Sequence, residues 1–408
     1  MRSRLRPRVP RRDADGGPRV LLVCGRLDPE HDGVGDYVAR LAAGLRSRGA
    51  AVRILHVGAP SGTAGARRVG RVWGPTALLR AAGASRGADV VHVQFAPSMY
   101  RFRPWIGALP LATRGRAVVT TLHEYGWWRW ERLLPAAVWE RLESARIADR
   151  ETALLVPGSR AVVTTNAGHG SVLQERFAGG PLRTTIPIGA NVEVDAELDR
   201  ADARDRVRTE LGIPAAATVV AFFGFVHPVK GLRYLAEALA QLSAEGREVH
   251  AIAIGGVESL ALPGAEATAF EAELRGQIAA AGAAERLHLT GFAAPREVSR
   301  LLAAADAGVL PFTHGVTPKS GSLLTLLAHG LPTVVTAGEG TAPDLVDGDR
   351  VVVVDRVRDG AALAAGIRRV IDRPELAAEI AARGRAWSEE HDWSVIADRH
   401  LELYERVA

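Results

Sequence analysis

A chain of 408 residues, 47% apolar and 24% charged, has enough material for two or three globular domains with sizeable cores. Its formal charge of +5 does not mark a nucleic-acid binder, because residues 1–19 hold seven arginines against Asp13 and Asp15 and so account for all of it. The single cysteine, Cys24, excludes an internal disulfide framework, and no run of about 18 apolar residues is present to span a membrane.

The first segment, MRSRLRPRVPRR, is too poor in apolar residues to fold, so residues 1–18 are expected to form a disordered Arg-rich tail. No apolar stretch follows its arginines, which argues against a secretory signal. Cys24 lies in the apolar run VLLVCG and reads as a buried structural thiol in a reducing, cytoplasmic setting.

From Arg19 onward, short β-branched runs alternate with helical patterns: RVLLVCG, AVRILHVG, DVVHVQF, AVVTTLH, AVVTTN and LRTTIPIG. The helical stretches between them include DYVARLAAGLRSRG and LLPAAVWERLESARIADRETALLV. After about Asn191, VEVDAELDRADARDR reads as a linker with a charged helix. The alternation then restarts with ATVVAFFG, EVHAIAIGG, RLHLTGF, AGVLPF, LPTVVT and RVVVVD. Strands without polar alternation, separated by helices, predict parallel sheets covered on both faces, so the fold class is α/β with two doubly wound, Rossmann-like domains. In such sheets ligands bind beyond the carboxyl ends of the strands. The final DWSVIADRHLELYERVA predicts an amphipathic helix with Trp393, Ile396, Leu401 and Tyr404 on its apolar side.

Of the 51 basic residues only Lys230 and Lys319 are lysines, and both stand in segments suited to an anion. FFGFVHPVKG places Lys230 directly after a strand and before a helix, where backbone amides and an ammonium can meet a phosphate. GVTPKSGS gathers Thr317, Lys319, Ser320, Gly321 and Ser322 at another helix start, of which N-capping by Ser320 explains one residue. In the first half, Gly33 and Gly35 precede a helix and form either a phosphate-approaching turn or a plain loop-to-helix turn. Val38 occupies the third glycine position of a dinucleotide fingerprint, which disfavours a nicotinamide site. His123 and Glu124 follow the fourth predicted strand, where an imidazole can bond a sugar hydroxyl or a leaving phosphate and Glu124 can hold its tautomer or bind the acceptor; a satisfied loop histidine is the alternative. Trp127, Trp128 and Trp130, with Tyr100, Phe102 and Trp105 among Arg101 and Arg103, suit sugar stacking, an apolar acceptor, a membrane interface or simple packing. Asp347-Gly348-Asp349 spells a metal-nucleotide motif but reads as a D-G turn before a strand, and no His/Cys spacing fits a metal. No metal and no cofactor are expected.

In this order DGVGDY, TLHEY, IPIGANV, FGFVHPVKG, LLAAADAGVLPF, LLTLLAHGLPTVVT and WSVIADRHLELYERV resemble the family 4 glycosyltransferases, retaining enzymes of the GT-B fold, over residues 19–408. The resemblance implies an acceptor domain at 19–195, a nucleotide-sugar donor domain at 196–386 facing it across a cleft, and a closing helix at 387–408 that returns to the first domain. It implies metal-independent transfer from a nucleotide-diphosphate sugar to a hydroxyl acceptor in carbohydrate biosynthesis. Gly33 and Gly35 would abut the donor phosphates, His123 the transferring sugar and Lys230 the diphosphate. Gly255-Gly256 and Gly291-Phe292 would cradle the base.

The chain departs from the family at three positions. Phe225 stands where an arginine usually precedes the lysine by five residues, and Thr317 and Thr325 stand at the usual pair of glutamates. Lys319 is the candidate replacement for the lost arginine charge, and Thr325 can offer a hydroxyl to a ribose. The competing readings are a sugar-nucleotide epimerase, a non-catalytic sugar-nucleotide-binding GT-B protein, and a lipid or nucleic-acid binder led by the tail. No nucleic-acid partner is expected, while peripheral membrane contact through the tail and the tryptophan loops stays open.

Overall fold

A computed structural model describes residues 17–130, 134–177, 179–258, 262, 264–317, 319–338 and 345–408. The Arg-rich tail thus lies outside the described residues, apart from its last two positions. The chain divides into two compact units, Met1–Ile188 with Trp393–Ala408, and Gly189–Asp392.

The first unit holds a parallel sheet of β1 (Arg19–Val23), β2 (Ala51–Val57), β3 (Ala66–Gly70), β4 (Val90–Phe95), β5 (Ala117–Leu122), β6 (Ala161–Thr164) and β7 (Leu182–Thr185) in the order β3-β2-β1-β4-β5-β6-β7. The second holds β8 (Thr218–Phe223), β9 (Val249–Ile254), β10 (Leu287–Gly291), β11 (Ala307–Leu310), β12 (Thr333–Thr336) and β13 (Val352–Val354), ordered β10-β9-β8-β11-β12-β13. Every pairing is parallel. The order in which strands are added reverses once in each sheet, between β1 and β4 and between β8 and β11, and in sheets of this kind ligands bind at such switch points, beyond the carboxyl ends of the strands. Central strands such as β4, β5 and β9 are buried along their whole length, which is why they read as continuous runs rather than alternating ones.

Two features differ from the sequence expectation. β3, ARRVG, was not expected as a strand; its two exposed arginines hide the pattern, as suits an edge strand that must resist further pairing. The stretch expected to be helical over 133–156 is helical only at Ala136–Ser144 and Leu155–Gly158. Between these, Asp149 Oδ1 accepts the amides of Glu151 (3.0 Å) and Thr152 (2.7 Å), turning the backbone out of the helix.

The division between units falls at 188/189 rather than 195. The first unit regains the chain at Trp393, not 387, because Pro374–Glu389 is a separate helix whose Trp387 is buried beside Arg350 of the second unit. The last helix, Trp393–Val407, packs on Gly33–Ser47, where Gly44 admits a close approach: a Cβ there would lie 3.1 Å from that of Ala397. Its buried positions are Trp393, Ile396, Ala397, His400, Leu403, Tyr404 and Val407, with Leu401 only half-buried. Cys24 is fully buried, and burial pushes its thiol far up from the ordinary range, so it is an inert core residue.

Candidate active site

In the second unit the loops beyond β8, β9 and β10 interlock. Val226 N–H donates to Gly256 O (2.9 Å) and Gly255 N–H to Gly291 O (3.0 Å). A Cβ on Gly255 would stand 2.1 Å from Gly224 O at φ +146°, so only glycine fits there. Phe292, beside Gly256, is largely exposed and offers an open ring face. The loop after β11 joins this cluster through Thr313, whose N–H donates to Val229 O (2.9 Å).

Lys230 ends the short turn Pro228–Lys230. The next residue, Gly231, has φ +72° and lies so close to β11 that an added Cβ would be 2.0 Å from Pro311 O. This contact seats Lys230 at the β8/β11 switch point, with Nζ 3.6 Å from the centroid of the Phe312 ring. Desolvation lowers its pKa to about 8. No carboxylate pairs with it among the described residues, so its charge has a ring face but no counter-ion.

The helix Gly321–Ala328 points its N-terminus at the same strand end: Ser322 Oγ would lie 2.6 Å from a Cβ on Gly224. Ser320 caps this helix through Leu323 N–H (3.2 Å). Asn191 occupies the space above Gly321. Thr317 is half-buried and Lys319 exposed. Thr325, read from sequence as a hydroxyl for a ribose, is fully buried; it donates to Gly321 O (2.8 Å) and accepts from Val192 N–H (3.2 Å). It therefore ties the 191–195 segment to the helix instead of facing a ligand. The tie continues through His329, bonded to Thr325 O and Ser299 Oγ (both 2.8 Å), and burial holds its pKa near 4, so it is neutral. Phe225 is half-buried in the interlocked loops. Asp347 accepts from Val353 N–H and pairs with Arg369, which makes the D-x-D segment a stapled turn.

In the first unit His123 lies just beyond β5 and is almost fully buried. Its N–H donates to Phe95 O (2.9 Å) and its Nε2 lies 2.9 Å from Gln94 Oε1. Tyr37, from the helix that Gly33 and Gly35 open, stands edge-on to the imidazole at 4.6 Å and to Trp393 at 5.2 Å. Asp32 caps that helix through Gly35 N–H (3.0 Å), so the expected phosphate approach already holds a carboxylate, which burial makes easier to protonate. A Cβ on Gly33 would meet open space, whereas one on Gly35 would lie 3.0 Å from the Asp28 backbone.

Glu124 is half-buried, and the next residue leads into a buried cluster. Tyr125 donates to Asp149 Oδ2 (2.5 Å), and Glu151 Oε1 accepts from Gly126 N–H (2.9 Å) and from Arg176 (2.6 Å). Burial pushes Glu151 up to about 7 despite the guanidinium. The tryptophan loop divides: Trp130 and Trp139 are buried, while Trp127, Trp105 and Phe102 are exposed.

Residues 217–373 match the model of the glycosyl transferases group 1. That stretch of the second unit is similar to a group 1 glycosyltransferase domain. A 2-deoxystreptamine glucosyltransferase of Streptomyces kanamyceticus is 29% identical over 51% of this chain and 52% of its own length. A D-inositol 3-phosphate glycosyltransferase of Nocardioides is 25% identical over 78% and 67%. The chain thus spans about half the length of the first of these relatives. Anabaena HepE, solved in complex with UDP and glucose, superposes with a TM-score of 0.71 at 19% identity over 95% of this chain and all of that one. The sucrose-phosphate synthase of Thermosynechococcus elongatus gives 0.71 at 20% identity over 95% and 98%. The chain is therefore built on the GT-B fold.

Sequence reading did not single out Tyr37, Gln94 or the Asp149–Glu151–Arg176 cluster. Gln94 did carry a signal, as a polar residue near the carboxyl end of the buried run DVVHVQF.

Proposed function

We propose that the chain transfers a sugar from a nucleotide-diphosphate donor to a hydroxyl acceptor, with retention at the anomeric carbon and without a metal. The carrying observation is Lys230, a desolvated ammonium at the β8/β11 switch point with no carboxylate partner among the described residues. A diphosphate is the counter-ion such a site lacks. The bond from the anomeric carbon to the donor phosphate breaks, and the acceptor oxygen bonds on the same face. The acceptor proton passes to the departing diphosphate. Lys230, with Lys319 and the amides opening Gly321–Ala328, stabilises the negative charge that develops there. His123 positions the reacting sugar, and Gly255 and Phe292 line the base. Neither unit needs to supply a nucleophile.

The relatives' names set the first panel to try. UDP-sugars serve as donors, and cyclitols such as inositol 3-phosphate and 2-deoxystreptamine as acceptors. Donor binding is read as a rise in melting temperature, since a ligand that binds only the folded state stabilises it. Transfer is read as release of the nucleoside diphosphate. Binding without release over a broad acceptor panel would point to a non-catalytic sugar-nucleotide-binding protein; binding of no sugar nucleotide would overturn the proposal.

A further inference from the structure

Along β4, His92 and Gln94 point to one face, and on neighbouring β5 Thr121 and the following His123 point to the same face. Two polar cross-strand pairs result. In the first, His92 bonds Thr121 Oγ1 (2.7 Å) and Tyr404 OH (2.6 Å), so both ring nitrogens are satisfied. In the second, His123 Nε2 meets Gln94 Oε1, but the Gln94 Nε2 amide is buried with no partner. Gln94 has no exposed surface. A buried donor left unpaired is costly, whereas an apolar side chain of the same shape would avoid the cost. A purely structural position would be expected to be satisfied or apolar, as the neighbouring pair is.

We infer that Gln94 is a positioning residue whose amide oxygen holds the His123 imidazole in its Nε2–H form at the end of β5. The inference rests on the proposed role of His123 at the reacting sugar. Three restraints converge on this ring: the backbone bond to Phe95, the edge of Tyr37, and the amide oxygen. Of these three, the amide oxygen is the one that meets a ring nitrogen and so favours the proton on Nε2. A neutral imidazole that donates from Nε2 presents an acceptor at Nδ1, so the amide sets the polarity with which His123 meets its surroundings.

Gln94→Met and Gln94→Glu separate this role from packing. Gln94→Met keeps the shape, removes the oxygen and deletes the unpaired donor. Its melting temperature should be unchanged or higher, while kcat falls about ten- to a hundred-fold at nearly constant donor KM. Gln94→Glu keeps an acceptor for Nε2–H and should retain most of the turnover. Imidazole 15N shifts should report the Nε2–H form of His123 in the native protein and a mixture in Gln94→Met, a readout that needs no activity. Full turnover in Gln94→Met, equal losses in both variants, or a native Nδ1–H form would overturn the inference. His123→Ala is the control: if it too keeps full turnover, the proposed role of His123 fails, whereas an impaired His123→Ala beside an unimpaired Gln94→Met removes only the positioning role.

Discussion

Tyr37 stands edge-on to His123, with ring centroids 4.6 Å apart and planes at 78°. The same ring contacts Trp393 at 5.2 Å, so the last helix reaches the imidazole through one side chain. Tyr37→Leu should lower the stability of the first unit by about 1–3 kcal/mol through the lost edge contacts, and reduce turnover further than stability explains. Tyr37→Phe keeps both ring contacts and loses only the long contact of the hydroxyl with His400 Nε2 (3.5 Å), so its turnover should stay close to that of the native protein. Denaturant melts and initial rates on the two variants provide the check.

Lys230 should govern both donor affinity and the alkaline stability of the empty protein. Its pKa is about 8 in the fold against an ordinary 10.5. Between those values the unfolded chain binds more protons than the folded one, so stability should rise with pH across that window. Lys230→Met should abolish the rise. Donor binding should weaken above about pH 8, as the ammonium that meets the diphosphate deprotonates. Lys230→Ala should fold and lose roughly ten- to a thousand-fold in turnover. Calorimetric pH titration with and without donor tests the pair of trends.

Transfer should survive EDTA, since the proposed charge stabilisation comes from Lys230, Lys319 and helix amides, and Asp347 is committed to Arg369 and Val353. A strict need for added Mn²⁺ or Mg²⁺ would contradict this.

The cluster behind the tryptophan loop should show the opposite pH sign to Lys230. Glu151 has a folded pKa of about 7 against 4.5, so between these the folded state holds the extra proton and stability is lost as pH rises. Glu151→Gln should remove that dependence while keeping the bond from Gly126. Arg176→Met leaves two buried carboxylates, Asp149 and Glu151, without their cation and should cost about 3–5 kcal/mol. Melting temperatures from pH 5 to 8 separate the variants.

Peripheral membrane contact is a separate expectation. Deleting residues 1–17 should leave turnover on a soluble acceptor unchanged but weaken binding to anionic vesicles, by about 1 kcal/mol for each arginine near the surface. Trp105→Ser with Trp127→Ser should weaken it further, because these exposed rings suit a headgroup interface. Vesicle co-sedimentation at low and high salt measures both effects; equal binding by all forms would remove the membrane role.

Alternation of β-branched runs with helical patterns was enough to specify two parallel sheets, because each strand's burial on both faces is written in its own residues. The turn that carries Lys230 was legible for the same reason: strand, glycine and helix start adjoin in the chain. Charged β3 and the broken stretch after Ser144 were not, since an edge position and a buried carboxylate override local pattern. The surroundings of His123 belonged to the tertiary structure alone. Gln94 reaches it from 29 residues away through strand register, and His400 approaches Tyr37 from 363 residues away through helix packing. Periodicity reports which face of an element is buried. Which polar atoms meet on that face depends on register and crossing, and those were decided only when the sheet and its covering helix assembled.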